Sequence, residues 1–213
     1  MVEKWTRIAF SDTLSGSGAG GGSQGGAIIE IDNIPAKEHL LIIGHGVGTG
    51  NHRLGLKFND DTGNTDTNYS YAYQEGGSYN ASATTNKIIL TGHTSNDTDE
   101  TTTGWCNVHN TKLYEKTCRS IHTSSNEGGA GTAPIMEWNF GKWTNATEQI
   151  TKIKMFNIED GTLTAGTSLT VYGADDQGTS PLYPNLSNGT LFEESDTGKI
   201  LMFDGTDTWN EVT

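Results

Sequence analysis

The chain has 213 residues, and 26 acidic against 13 basic side chains give it a formal net charge of −13. Such a chain is repelled by phosphate backbones and anionic lipid surfaces, which argues against nucleic-acid or membrane-surface partners. Its 28 glycines, well above the usual share of about 7%, favour short strands joined by tight turns, and no apolar run reaches the roughly 20 residues of a membrane-spanning helix.

The length suits one main domain, in which a compact chain buries roughly 70% of its extended surface. The start, MVEKWTRIAF, has no apolar stretch long enough for a signal peptide, so synthesis in a cytoplasm without membrane insertion is expected. Val2 to Phe10 reads as a first strand. The run SGSGAGGGSQGG over 15–26 reads as a flexible segment, or as an arm that orders only against a neighbouring subunit. Ile29 and Ile31 then alternate with Glu30 and Asp32 until Pro35 ends a strand.

The apolar run HLLII, His39 to Ile43, suits a short strand buried on both faces and closed at Gly44. The glycines that follow, through Gly50, read as a turn into a strand over Arg53 to Phe58, where Leu54, Leu56 and Phe58 alternate with Arg53, Gly55 and Lys57. Tyr69 to Tyr73 alternates aromatic and small residues, and Lys87 to Leu90 is another apolar run. Thr91 to Thr103 is polar and acidic and reads as a surface loop. Trp105 to Ile121 leaves helix and strand open, whereas Pro134 to Phe140 reads as a strand with an apolar face of Met136, Trp138 and Phe140.

From Ile150 to Gly173 the period-two pattern is clearest. Ile153 and Met155 alternate with Lys152 and Lys154, and Leu169 and Val171 with Ser168 and Thr170, which predicts two strands antiparallel in one sheet. Asp175-Asp176-Gln177-Gly178 and two prolines mark 174–188 as a linker. In 189–213, two short strands around Asp196-Thr197-Gly198 form a hairpin and a turn at Asp204-Gly205 leads to Trp209. So small a module is expected to dock on its own domain or on another subunit.

Ala165-Gly166-Thr167-Ser168 followed by Leu169-Thr170-Val171-Tyr172-Gly173 resembles the closing strands of a sandwich domain in phage and phage-like virion proteins. Leu56-Lys57-Phe58-Asn59-Asp60-Asp61-Thr62-Gly63, with Asn68-Tyr69-Ser70-Tyr71, resembles a strand and Asn/Asp-rich loop of the same group. The tail from Phe192 through Asp196-Thr197-Gly198-Lys199 to Trp209 is similar to short C-terminal modules that recur in virion proteins. The resemblance implies an all-β fold: an antiparallel, jelly-roll-like β-sandwich over 1–173, a linker, and a small C-terminal hairpin. It also implies a non-enzymatic structural part of a virion, a head-decoration, fibre or tail component assembled in a host cytoplasm against other virion proteins. A symmetric homo-oligomer is expected, with a trimer as its form.

Cys106 and His109 with Cys118 and His122 supply two thiols and two imidazoles that suit tetrahedral zinc. The same cysteines suit a Cys106–Cys118 disulfide, or two unpaired thiols. Asn59 to Asp66 offers oxygens to Ca²⁺ but departs from the spacing of an EF-hand loop, and an Asx-rich turn explains it. No cofactor is expected beyond these two metals. His45, His52 and His93 lack any accompanying nucleophile elbow, zinc-protease helix or phosphate loop, so no enzyme is expected. The rival reading is a lectin-like receptor-binding module in which Tyr69, Tyr71 and Tyr79 stack on host-surface glycans.

Overall fold

The computed structural model describes residues 5–15, 27–59, 61, 68–75, 78–92, 98–124, 135–175, 188–194, 197–204 and 208–212. Within them every regular element is a strand. In chain order these are β1 Thr6–Ser11, β2 Ile28–Ile31, β3 His39–Thr49, β4 Leu54–Phe58, β5 Tyr69–Glu75, β6 Ser78–Thr85, β7 Ile88–Ile89 and β8 Thr98–His109. Then come β9 Lys116–Ser124, β10 Ile135–Trp143, β11 Ile153–Asn157, β12 Thr162–Leu163, β13 Ser168–Ala174, β14 Leu191–Glu194, β15 Lys199–Phe203 and β16 Trp209–Glu211. The chain divides into two units, Lys4–Ala174 and, with Met1–Glu3, Asp175–Thr213.

The first unit is an antiparallel sandwich. A nine-stranded sheet runs β1-β13-β3-β8-β9-β10-β5-β6, with β12 also paired to β3, and it packs on a four-stranded sheet ordered β2-β11-β4-β7. Alternation sets which side chains meet between the layers. Leu40, Ile42, Leu169 and Val171 enter from the large sheet and meet Ile29, Ile31, Leu54, Leu56, Ile153 and Met155 from the small one. One end of the core is aromatic: the Trp143 ring lies 5.7 Å from Phe58 and 6.5 Å from Tyr69.

Four expectations change. First, β3 does not stop at Gly44 but runs on to Thr49, alternating half-buried and buried residues along its length. Its inward glycines are spacers: Gly44 makes room for Leu90, Gly46 for Leu54 and Thr102, and Gly48 for the Thr162 backbone. A Cβ on Gly44 would meet Leu90 Cδ2 at 2.6 Å, and one on Gly104 of β8 would meet the Leu90 carbonyl oxygen at 2.7 Å. Gly104→Ala, which pushes on backbone that cannot swing aside, is therefore expected to destabilise the fold by about 1–3 kcal/mol. Urea denaturation checks this; a loss below about 0.5 kcal/mol contradicts the close approach.

Second, the strands of the Ile150–Gly173 stretch do not share a sheet: β11 pairs with β2 and β4, and β13 with β1 and β3. The connection crosses between layers, and both strands keep their alternation because each has one face toward the same core. Third, Trp105 to Ile121 is strand, turn and strand, with β8 and β9 paired from Thr102↔Ser124 to Val108↔Cys118. β8 already begins at Thr98, inside the predicted surface loop, and Thr91 and Gly92 are buried. Fourth, the apolar face of β10 points out. Glu137, Asn139, Gly141 and Trp143 are buried, while Met136 and Phe140 are exposed and Trp138 half-exposed.

The second unit is a three-stranded meander, β14-β15-β16, so Trp209 sits on a third strand beyond the predicted hairpin. Phe192 and Phe203 pack on the Trp209 ring at 5.9 and 5.3 Å. Leu191, Ile200 and Met202 are exposed. Of the glycine-serine run 15–26, Ser15 bridges Ile28 and 16–26 lie outside the described residues; of the linker 174–188, Ala174 belongs to β13 and 176–187 lie outside them.

Candidate functional site

Strand geometry separates the four zinc candidates. Cys106, Cys118 and His122 face the interior, but His109 is on the outward side of β8, stacked on His39 at 5.1 Å. Cys118 and His122 are four strand residues apart, about 13 Å at ~3.3 Å per residue. The four are thus not brought round one ion, and among the described residues no three His, Cys, Asp or Glu side chains gather as metal ligands. The two cysteines do meet, as buried free thiols. The hydrogen bond with Cys106, then burial, hold the Cys118 thiol well above its ordinary range.

The calcium candidates Asn59 and Asp61 have structural work. Asn59 Oδ1 accepts from the backbone N–H groups of Thr151 and Lys152 at 2.9 and 3.2 Å, and the Asp61 carboxylate accepts from Trp143 Nε1–H. Positions 60 and 62–66 of that loop lie outside the described residues, as does His93. His45 Nδ1 is hydrogen-bonded to the Thr103 hydroxyl at 2.8 Å, and His52 is fully buried with Nδ1 3.1 Å from the Gly50 carbonyl.

The tyrosine set is also split. Tyr69 is a core residue whose hydroxyl accepts from Phe58 N–H at 2.9 Å, so it meets no ligand. Tyr71 shares its inward side of β5, half-buried. Tyr79, 73% exposed, lies opposite Gln74 and so projects from the other face of the sheet.

Two arrangements escaped the sequence reading. One is interior. Arg53, just before β4, donates from Nη2–H to Glu137 Oε1 of β10 at 2.6 Å and from Nε–H to the Thr91 carbonyl at 3.2 Å. Its guanidinium also lies 4.5 Å from the Tyr73 ring centroid. His122 stands opposite Glu137 on β9, and a Cβ on Gly92 would touch both. Among the described residues neither His122 ring nitrogen has a hydrogen-bond partner, nor does either atom of the buried Asn139 amide. Burial first, then the positive Arg53 and His52, lower the imidazole to about 4. The cluster is sealed from solvent, so it places charge inside the sandwich without exposing it to a substrate.

The other is the outer face of the nine-stranded sheet. Cross-strand register aligns Phe10, Thr170, Ile43, Trp105, Ile121 and Trp138 in one row over six strands, a span of about 24 Å at ~4.8 Å per strand. Phe10 is 51% exposed, Trp105 37%, Met136 56% and Phe140 48%. The next row carries Tyr172, Leu41, Asn107, Arg119 and Phe140. Beside it a groove of about 690 Å³ opens between Trp5, His39, His109, Arg119 and Phe140. The described outward side chains of these six strands include no Asp or Glu, although the chain has 26.

No family model, curated protein or solved structure matches this chain. Function therefore rests on the molecule's own surfaces. Alternation could have flagged Trp105, Trp138 and Phe140 as companions of Arg119, but only register shows that they form adjacent rows.

Proposed function

We propose that the protein is a non-enzymatic structural component of a larger assembly, and that it works by holding neighbouring copies through the outer face of its nine-stranded sheet. The observation that carries this is the row from Phe10 to Trp138. A row apolar at five of its six positions, with Phe10 and Trp105 exposed at its edge and centre, marks a contact surface, because monomers seldom expose large contiguous apolar area. Electrostatics supports the same face: copies of a chain with net charge −13 repel least where they approach through a surface whose described strand side chains carry no carboxylate. Leu191, Ile200 and Met202 on the C-terminal meander offer a second contact. Placement in a virion is supported by the likeness of Ala165 to Gly173, and of the segment from Phe192 to Trp209, to virion-protein segments. A closed symmetric oligomer, with the trimer as its form, suits both contacts.

Sedimentation velocity in the micromolar range tests the reading. The native protein is expected to associate, and Trp105→Glu to weaken association at least about 30-fold, since truncating a central interface tryptophan costs about 2 kcal/mol or more. A native protein that stays monomeric, or a variant that associates as well as the native chain, overturns it.

A further inference from the structure

We propose that the groove lined by Trp5, His39, Asn107, His109, Arg119 and Phe140 is a binding site for a carboxylated sugar, with Arg119 taking the carboxylate and Phe140 the ring face. This goes beyond assembly: the groove lies one row away from the stripe, toward the His39–His109 end of the sheet.

Several features narrow the ligand class. The strands beneath, β8, β9 and β10, are paired on both sides, so no sheet edge is on offer to an extended peptide and recognition falls to side chains. Asn107 and Arg119 are direct cross-strand partners, and Arg119 in turn faces Phe140. An amide, a guanidinium and a half-exposed ring thus stand in line at ~4.8 Å intervals. The C–H face of a pyranose packs on an aromatic ring such as Phe140 or Trp5, while Asn107 and His109 can exchange hydrogen bonds with its hydroxyls.

The charge points to an acid. Arg119 lies over the Trp138 ring at 5.3 Å from its centroid, which orients the guanidinium, and it makes no hydrogen bond or ion pair among the described residues. Its planar fork fits a carboxylate with two parallel hydrogen bonds. The described lining residues include no carboxylate to compete for it. On so acidic a chain, a groove bearing one unpaired arginine and two imidazoles is where an anion is repelled least.

The test is titration of the full chain with trigalacturonate, a glucuronate-containing trisaccharide and sialyllactose, each against its neutral counterpart, followed by tryptophan fluorescence and calorimetry. Saturable binding of at least one acidic sugar is expected, with its neutral counterpart at least tenfold weaker. Arg119→Met and Phe140→Ala should each weaken binding at least tenfold with the circular-dichroism spectrum unchanged, Arg119→Met should also leave the sedimentation behaviour unchanged, and Arg119→Lys should retain part of the binding. The proposal falls if none of the three acidic sugars saturates, if neutral sugars bind as well, if Arg119→Met binds like the native chain, or if a poly-glutamate peptide binds as tightly as the best sugar.

Discussion

Replacing Glu137 by alanine is expected to lower the free energy of unfolding by about 3–5 kcal/mol, because it strands the Arg53 guanidinium inside the sandwich without its counter-charge. Glu137 is fully buried and Arg53 nearly so, with 2.6 Å between Oε1 and Nη2. The Thr91 carbonyl and the Tyr73 ring stay beside the cation but bring no negative charge. At about 2–4 °C per kcal/mol for a chain of this size, the melting temperature should fall by roughly 6–20 °C. The double variant Arg53→Met/Glu137→Leu should lose far less than the sum of the single variants, since it removes both charges and refills the space. Chemical denaturation of Glu137→Ala, and of the native chain, Arg53→Met, Glu137→Leu and their double variant as a double-mutant cycle, measures this. A single-variant loss under about 1 kcal/mol would show that the pair carries little of the fold's stability.

Acid should destabilise the protein through His122 at pH values where surface carboxylates are still ionised. The folded imidazole is lowered from 6.5 to about 4, so between those values the unfolded chain takes up a proton that the folded chain refuses. Stability is therefore full above about pH 6.5 and falls as pH drops toward 4, by roughly 3 kcal/mol in all, since each tenfold loss of proton affinity on folding is worth about 1.36 kcal/mol. The groups that face the ring are Arg53, His52 and Glu137, and the carboxylate is already engaged by Arg53. His122→Leu should flatten this limb of the stability profile. At pH 7 it should be no less stable than the native chain, because neither ring nitrogen has a partner to lose. Stability curves at pH 7 and 4.5 check the point, and a variant with the native pH slope would assign the acid sensitivity elsewhere.

Local patterning made much of the sandwich legible. Ile29 and Ile31, Leu54, Leu56 and Phe58, Ile153 and Met155, and Leu169 and Val171 are core residues where alternation put them, but β4 is buried on both faces, so Lys57 is buried too. Pairing was not legible, because a strand's period is the same whichever sheet it joins; β11 and β13 differ in their partners, set by residues distant in the chain, such as Ile31 for Ile153 and His45 for Ser168. The glycines of β3 misled for a related reason. A glycine that makes room for Leu90 is indistinguishable in sequence from one that makes a turn. On β10, alternation gave two faces but not their direction. Glu137 can be the buried one only because Arg53, 84 residues earlier, neutralises it. The zinc reading of Cys106 and His109 was not decidable from residue types alone, since on a strand two side chains three positions apart lie on opposite faces.

The most direct test of the outer face as the working surface is hydroxyl-radical footprinting of the assembled protein against the same protein dissociated by dilution. Oxidation at Trp105, Met136 and Trp138 is predicted to drop severalfold on assembly, while Leu113 and Tyr114, exposed on the β8–β9 turn, keep their dissociated rates. Equal labelling of the three face residues in both states, or protection confined to the turn, would contradict the account.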